Sequence, residues 1–421
     1  MWALVDCNSF FCSVERAFHP GLRHKPVCVL SSNDGNIVAL TPEAKQLGLQ
    51  RGDPLFKVRE IIQQGDVKCF SGNMVLYAAM SRRITSILRG SIAHVENYSI
   101  DESFCDLRGY SCHHNLEELM RDVALRIRLW TDIPVSVGIA PSKTLAKIGS
   151  KFAKQYAGYR SVCVIDSEEK RLKALELFPL QEVWGIGRNT LKRLQEHGIQ
   201  TPLQLANQRE SWVKRHFSLP LQRTWRELNG IDCIDTSEVI ARKSICTSRS
   251  FGQMVTALQE LRPAIATFAS GCADKLREQH SAARSVSVFV MSNRFRPDLP
   301  QHNAMETTQL PVYTADTIEI EQAAQALLER LYRPGILYKK AGVILGDILP
   351  IGEVQPDLFD PLANRPQRYR LMQAIDQLNQ RYGAHTVQLA AEGNRRDVWT
   401  TKCEQRSPNY LTDINELLTV R

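Results

Sequence analysis

The sequence predicts an α+β protein of several units, and three observations carry that prediction. Strand-like and helical runs alternate through residues 1–155. From Glu168 to about Gly230 only short helical runs occur. From Lys243 to Leu345 the order reads β-α-β-β-α-β, a compact sheet with two helices on one face. At about 100–200 residues per domain, a chain of 421 residues accommodates two to four units.

Met1–Cys7 (MWALVDC) is a short apolar run ending at an acid, a buried strand that delivers Asp6 to its edge. Pro26–Leu30 is a second strand, closed by the turn residues Asn33-Asp34-Gly35. In Thr41–Gly48, Thr caps, Pro takes the first helical position and Gly ends a short helix. Met74–Leu88 is a longer amphipathic helix. Val95–Leu107 holds two strand-like runs meeting at Asp101-Glu102, followed by a helix over Leu116–Trp130. Pro134–Ala140 is a β-branched strand, and Lys143–Lys154 the helix after it. The helical stretch beyond has Val183-Trp184-Gly185-Ile186-Gly187-Arg188 as its landmark. In the last pattern Ser244–Phe251, Ser285–Met291, Thr307–Val312 and Ala341–Leu345 are strands, and Ala257–Gln279 and Ile318–Tyr332 helices. After Pro350 the chain is loop-rich, with short helical stretches at Tyr369–Tyr382 and Thr412–Leu418.

Composition narrows the function classes. With 43% hydrophobic and 23% charged residues, no repeat period and no low-complexity run, the chain is globular. Lys and Arg number 53 against 45 Asp and Glu, a net charge of +8. That surplus suits a polyanionic partner, since each neutralised phosphate releases counterions; it equally suits an ordinary basic protein. Eleven scattered cysteines with no Cys-x-x-Cys pair read as reduced thiols, not a disulfide framework. The opening lacks a basic region and carries Asp6, unlike a signal peptide, and no run of about 18 apolar residues could span a bilayer. The expectation is a soluble, cytoplasmic protein with no membrane partner.

Chemistry concentrates on Asp6 and the adjacent pair Asp101-Glu102. Side chains alternate faces along a strand, so neighbouring acids converge only if a turn intervenes. Three carboxylates with a backbone carbonyl can hold two hard cations ~3.5–4 Å apart, the arrangement that stabilises attacking and leaving oxygens in phosphoryl transfer. Each acid alone is as well a turn or strand-end residue, but a charge emerging from an apolar strand is costly without a partner. Lys143 opens a helix and Lys45 sits on the short capped one; a helix N-terminus with a lysine is a ready phosphate site. Either lysine alone is more often a solvated surface charge. Gly185 and Gly187, followed by Arg188 and Lys192, fit a helix-hairpin-helix that grips a DNA phosphate through backbone N–H groups. Cys112-His113-His114 lacks a second Cys/His pair at ligand spacing and reads as a surface loop. Gln355-Pro356-Asp357-Leu358-Phe359 offers two large apolar residues in a polar loop, a peptide for a partner's groove or a loop packed on its own domain. Clustered acids on a basic protein would also serve a repair nuclease; a non-enzymatic scaffold is the other reading, and the presence of Asp6, Asp101 and Glu102 argues against it.

The motif set resembles the Y-family translesion DNA polymerases over almost the whole chain. Asp6-Cys7-Asn8-Ser9-Phe10-Phe11 is similar to the family's first motif and Tyr98-Ser99-Ile100-Asp101-Glu102 to its most specific one. Val137–Ala140 with Lys143-Thr144-Leu145-Ala146-Lys147 resembles the third, and Trp184–Gly187 the thumb hairpin. Four motifs in the right order make chance a poor explanation. Ser32–Gly35, Arg51–Pro54, Leu76-Tyr77 with Met80-Ser81, and Ser407-Pro408-Asn409-Tyr410 point to the polymerase V branch, the UmuC type.

The resemblance implies a right-hand polymerase: a ferredoxin-like palm (1–11 and 80–167), small fingers (12–79), a helical thumb (168–235), a little finger (243–348) and a clamp- and partner-binding region (349–421). It implies two Mg²⁺ ions held by Asp6, Asp101, Glu102 and the Cys7 carbonyl. Lys143 and Lys45 would bind the triphosphate, with Phe10 beside it and Phe11 as steric gate where a ribose 2′-OH would project. Gly185, Gly187, Arg188 and Lys192 would bind DNA, and Gln355, Leu358 and Phe359 a sliding clamp. Primer-template DNA and deoxynucleoside triphosphates would be substrates; a cleaved UmuD-type dimer and a RecA filament with ATP would activate error-prone synthesis in the SOS response. The sequence departs from the family pattern in four places. Phe11 stands where the branch has Tyr, keeping the bulk and losing the hydroxyl. Leu40 replaces an expected Arg, Pro42 a phosphate-contacting Tyr, and Lys45 an Arg, a point charge for a bidentate fork.

Overall fold

The apolar opening forms β1 (Trp2–Cys7), the central strand of a five-stranded sheet. Its alternation divides the side chains between two cores: Ala3, Val5 and Cys7 enter one, Trp2 and Leu4 the other. By the same parity Asp6 lies on the Trp2–Leu4 face. The structure is a computed structural model describing residues 1–237, 241–355, 357, 360, 362, 364–393 and 399–417.

α1 (Phe10–Phe18) follows at once, entered through Ser9 at φ 45°. The sequence reading leaves this stretch unassigned because its start has neither a side-chain cap nor a first-turn acid. β2 (Val27–Leu30), β3 (Ile37–Leu40), α2 (Pro42–Gln46), α3 (Arg59–Gln64) and β4 (Lys68–Ser71) come next. The strands make a separate three-stranded sheet, ordered β3-β2-β4. The predicted start of α2 is present: Thr41 Oγ1 accepts the Ala44 N–H, with Pro42 at the first helical position. Leu40, expected near the fingers, is buried in this sheet's core.

α4 (Met74–Arg89), β5 (Val95–Asn97), β6 (Glu102–Asp106), α5 (Leu116–Thr131), β7 (Val135–Ala140), α6 (Lys143–Gln155) and β8 (Val162–Val164) complete the first sheet, ordered β5-β6-β1-β7-β8. Met120, Val123 and Ile127 of α5 and Leu76, Ile84 and Leu88 of α4 pack on one face, and Leu145, Ile148 and Phe152 of α6 on the other. Gly138 lets α6 approach β7, since a Cβ there would stand 2.0 Å from the Ala146 carbonyl oxygen. The helical stretch is α7 (Glu168–Leu177), α8 (Arg188–Glu196), α9 (Pro202–Ala206), α10 (Glu210–His216) and α11 (Leu219–Leu228).

The chain divides into two units, Met1–Val239 with Glu404–Arg421, and Ile240–Cys403. The second is the β-α-β-β-α-β pattern read from sequence: β9 (Ile245–Val255), α12 (Leu258–Glu278), β10 (Ser281–Ser292), β11 (Asn303–Thr314), α13 (Thr317–Leu331) and β12 (Tyr338–Pro350), with sheet order β11-β10-β12-β9. α14 (Arg365–Tyr382) is joined to it by Arg277–Asp376 and Arg368–Asp316 pairs, both 2.7 Å.

The region 349–421 is therefore not one unit. Its last part belongs with the three-stranded sheet, where Ser71 of β4 bridges Arg406 in parallel and Asn73 Nδ2 donates to the Ser407 carbonyl at 2.8 Å. The expected helix at Thr412–Leu418 shrinks to one 3₁₀ turn, Ile414–Glu416. All eleven cysteines are free thiols. Among the described residues no helix is long and apolar enough to cross a membrane.

Candidate active site

Pairing of β1 with its two neighbours builds the site. In the antiparallel register Asp6 faces Glu102 on one side and Ser136 on the other. Glu102 is two residues from Phe104, which packs in the core under α6. Period two thus puts Glu102 on the same face as Asp6, Leu4 and Trp2. Asp101 stands in the bend that opens β6, where its carbonyl accepts the Cys7 N–H at 2.9 Å. The bend resolves the alternation problem in part: two carboxylates share the α6 face, and the third borders a narrow cleft with Val5, Cys7, Ile84 and Ser103.

Each acid has a partner. Lys154 Nζ is 2.9 Å from Asp6 Oδ1. Lys147 Nζ is 2.8 and 2.9 Å from the two Glu102 oxygens, and stands 4.5 Å from the Tyr98 ring centroid. Ser99 Oγ donates to Asp101 Oδ1 at 2.6 Å. Among the described residues no three His, Cys, Asp or Glu side chains are gathered closely enough to hold an ion. Each carboxylate is instead met separately by an ammonium or a hydroxyl. The donor set nevertheless fits a hard divalent cation: it is all oxygen, and the two ammonium groups stand in for positive charge at Asp6 and Glu102. Burial, reinforced by the Asp6 and Asp101 carboxylates, pushes the Cys7 thiol well above its ordinary range. The sulfur therefore stays protonated, and the hard donor of this residue is its carbonyl.

Lys143 is not brought to these acids. Its side chain is 2% exposed, and its ammonium spends its three protons on Glu96 Oε2 at 2.7 Å, the Ile234 carbonyl at 3.1 Å and Thr236 Oγ1 at 3.0 Å. It also lies 4.2 Å from the Trp2 ring centroid. Burial favours protonation of Glu96, but hydrogen bonds from Lys143 and Thr236 outweigh it and hold the carboxyl below the usual range. The N-terminus of α6, read as a phosphate site, is likewise taken: Glu227 of α11 accepts the Thr144 N–H at 2.8 Å, and Ser142 Oγ donates to the Glu227 carbonyl. The lysines that do meet the acids, Lys147 and Lys154, share a helix face with Lys143 at spacings of four and eleven residues.

Phe10 is buried, while Phe11 is half-buried and stacked on Tyr77, centroids 4.5 Å apart at 16°. Lys45 is exposed on α2, one residue beyond the buried Ala44. Gly185 adopts φ +89°, and a Cβ there would stand 2.4 Å from Thr224 Oγ1. Gly187 caps α8, with open space at its Cα, and Arg188 and Lys192 are exposed on the first turns. Trp184 Nε1 donates to Tyr98 Oη at 3.0 Å, tying this hairpin to the acidic bend. Cys112, His113 and His114 are exposed. Gln355 is exposed; Leu358 and Phe359 lie outside the described residues.

Comparison with known proteins agrees with this architecture. Residues 5–151 match the impB/mucB/samB family and residues 242–358 its C-terminal domain, while residues 369–420 match a domain of unknown function. The chain is 39% identical to Protein UmuC of Salmonella typhimurium over 423 residues, covering 100% of both. It is 39% identical to Protein MucB of Escherichia coli (98% of each chain) and 27% identical to DNA polymerase IV of Brucella melitensis (96% of this chain, 89% of that one). A solved Y-family DNA polymerase chimera of Dbh and Dpo4 shares the fold, with TM-score 0.64 and 23% identity over 83% of this chain and 99% of that one. An insertion ternary complex of Dbh DNA polymerase gives 0.53 at 22% identity, with 83% and 99% coverage. The in-register acids, the four-stranded second unit and full-length identity to these relatives converge: the chain belongs to the impB/mucB/samB family of UmuC-type, Y-family translesion DNA polymerases.

Proposed function

We propose that the chain extends a primer on damaged template DNA by nucleotidyl transfer from deoxynucleoside triphosphates, with Asp6, Asp101, Glu102 and the Cys7 carbonyl holding two Mg²⁺ ions. The observation that supports this reading best is the facing of Asp6 and Glu102 across β1 and β6, with the Asp101 carbonyl accepting the Cys7 N–H. When bound, such ions lower the cost of charge on the attacking and leaving oxygens. The chain's own residues do the rest. Ser99 fixes Asp101, and the strand pairing fixes Asp6 against Glu102. Lys154 and Lys147 hold the carboxylates in the free enzyme and are the cations nearest to an arriving triphosphate, with Lys45 as a third; Lys143 is reserved for Glu96. Phe11, an aromatic ring at the start of α1, excludes a ribose 2′-OH, with Phe10 buried behind it.

Gly185 and Gly187 present backbone N–H groups to a DNA phosphate, and Arg188 and Lys192 add charge, giving a sequence-independent grip. Likeness to Protein UmuC supports a role in the SOS response, activated by a cleaved UmuD-type dimer and a RecA filament with ATP. Gln355 opens the segment read as the sliding-clamp peptide. Primer extension on undamaged and abasic templates tests the reading, with Mg²⁺ and the activating partners present. Asp101→Ala is expected to lower extension on the order of a thousandfold or more. Equal extension by Asp101→Ala and wild type would sink the metal assignment.

A further inference from the structure

Two sets of residues singled out as marks of the branch, Leu76-Tyr77 and Ser407–Tyr410, have no role in the chemistry above, yet they meet. Glu15, on α1 one turn beyond Phe11, is completely buried. Its Oε1 accepts the Tyr77 hydroxyl at 2.6 Å and the Ser407 hydroxyl at 2.9 Å, and its Oε2 has no hydrogen-bond partner. Tyr77 in turn carries the ring on which Phe11 stacks.

The segment around Ser407 is held from several directions. Ser71 N–H donates to the Gln405 carbonyl at 3.0 Å and Gln405 N–H to Ser71 Oγ at 2.9 Å. Asn73, which caps α4 through the Leu76 N–H, donates to the Ser407 carbonyl. Tyr410 stacks on Phe18 with centroids 4.7 Å apart. The segment therefore grips the capped start of α4 and the far end of α1, the two helices whose rings meet at Phe11 and Tyr77.

Phe11 has no polar handle, so packing alone sets where its ring lies. A Tyr at that position could anchor itself; here the hydroxyl belongs to the ring beneath. We propose that Glu15, Tyr77 and Ser407 are positioning residues for sugar selection: the segment 404–410, through the Glu15 carboxylate, fixes the Tyr77 ring that supports Phe11. This rests on Phe11 acting as the steric gate. A ring allowed to tilt admits a 2′-OH, whereas a deoxyribose presents nothing there to exclude. Loosening the support therefore relaxes selection without slowing correct synthesis. Burial pushes the Glu15 carboxyl upward in pKa, and the two hydroxyl donors pull it back. Removing either donor thus strips a buried acid of half its hydrogen bonding.

The test is insertion of one deoxynucleotide and of the matching ribonucleotide opposite the same template base. It uses the full chain with its activating partners, as wild type, Phe11→Ala, Ser407→Ala, Tyr77→Phe and the Ser407→Ala/Tyr77→Phe double variant. Tyr77→Phe keeps the stacking ring and Ser407→Ala removes one atom, so both are expected to fold, with melting temperature as the check. Phe11→Ala should collapse the ratio of kcat/KM values. Ser407→Ala and Tyr77→Phe should each lower it roughly three- to tenfold. That loss should come through faster ribonucleotide use, with deoxynucleotide kcat/KM unchanged, and the double variant should fall short of the product of the singles. A wild-type ratio in Ser407→Ala and Tyr77→Phe beside a collapsed ratio in Phe11→Ala overturns the proposal and leaves the gate standing. So does a parallel fall of both nucleotides, which marks a merely structural tie. A wild-type ratio in Phe11→Ala removes the gate reading, and the proposal with it.

Discussion

The two ends of α6 hold lysines of the same face with opposite fates. At its start Lys143 is sealed beneath Trp2 in a pair with Glu96; about one and three turns on, Lys147 and Lys154 stand partly in solvent against Glu102 and Asp6. Strand direction separates them. α6 leaves the sheet just after Ala140, and Ala140 pairs with Trp2, the end of β1 farthest from Asp6. Eleven residues of helix rise about 16 Å, and four residues of strand about 14 Å, so Lys154 returns to the level of Asp6. A lysine at a helix N-terminus is thus placed by the strand before it, and here that strand ends away from the acids.

The sharpest way to break this comparison is at the buried end. Lys143→Met leaves the buried Glu96 carboxylate without its countercharge, and should cost about 3–5 kcal/mol in urea unfolding. The double variant Lys143→Met/Glu96→Leu should recover most of it. A single variant as stable as wild type would make Lys143 one more surface charge. At the other end, Lys154→Ala should leave unfolding unchanged and raise KM for the deoxynucleotide roughly ten- to a hundredfold, the worth of one charge-assisted hydrogen bond. Should stability fall instead, the two lysines are equivalent and the distinction fails.

Smaller effects refine the buried end. Glu227→Gln, which weakens the carboxylate cap on α6, should cost about 1 kcal/mol. The pH dependence follows from Glu96, whose folded carboxyl lies below its ordinary value. An acid depressed by folding contributes stability above its unfolded pKa and loses it as pH falls through the folded one. Wild type should therefore show a steeper acid limb than Lys143→Met/Glu96→Leu. Parallel acid limbs in urea titrations would mean the pair contributes nothing to acid sensitivity.

Much of the site was legible in the sequence. Asp6 at the end of an apolar strand, an acidic bend and the β-α-β-β-α-β order are local patterns, and once β1 pairs with β6 period-two parity puts Asp6 and Glu102 on one face. Lys154 was legible too, since an eleven-residue spacing, about three turns, marks it as a face-mate of Lys143; the step needed was to follow the strand direction. α1 escaped because two adjacent phenylalanines after an uncapped Ser9 carry no helix-start signal. The burial of Lys143 and the occupied α6 N-terminus could not be read, because Glu96, Glu227 and Thr236 come from separate parts of the chain. The division of region 349–421 likewise depends on single hydrogen bonds between distant segments.

The bond between Ser407 and Glu15 joins positions 392 residues apart. Contacts so remote in sequence form late, because the loop they close must be gathered first. On the ribosome the wait is longer still. β1, α1 and α4 emerge early, yet the carboxylate between them keeps only one of its two donors until the whole second unit and residues 404–410 have been made. At about 5–20 residues per second, that interval is tens of seconds. A nascent chain can thus assemble its acidic bend well before the surroundings of Glu15 are complete, and an interrupted one never completes them.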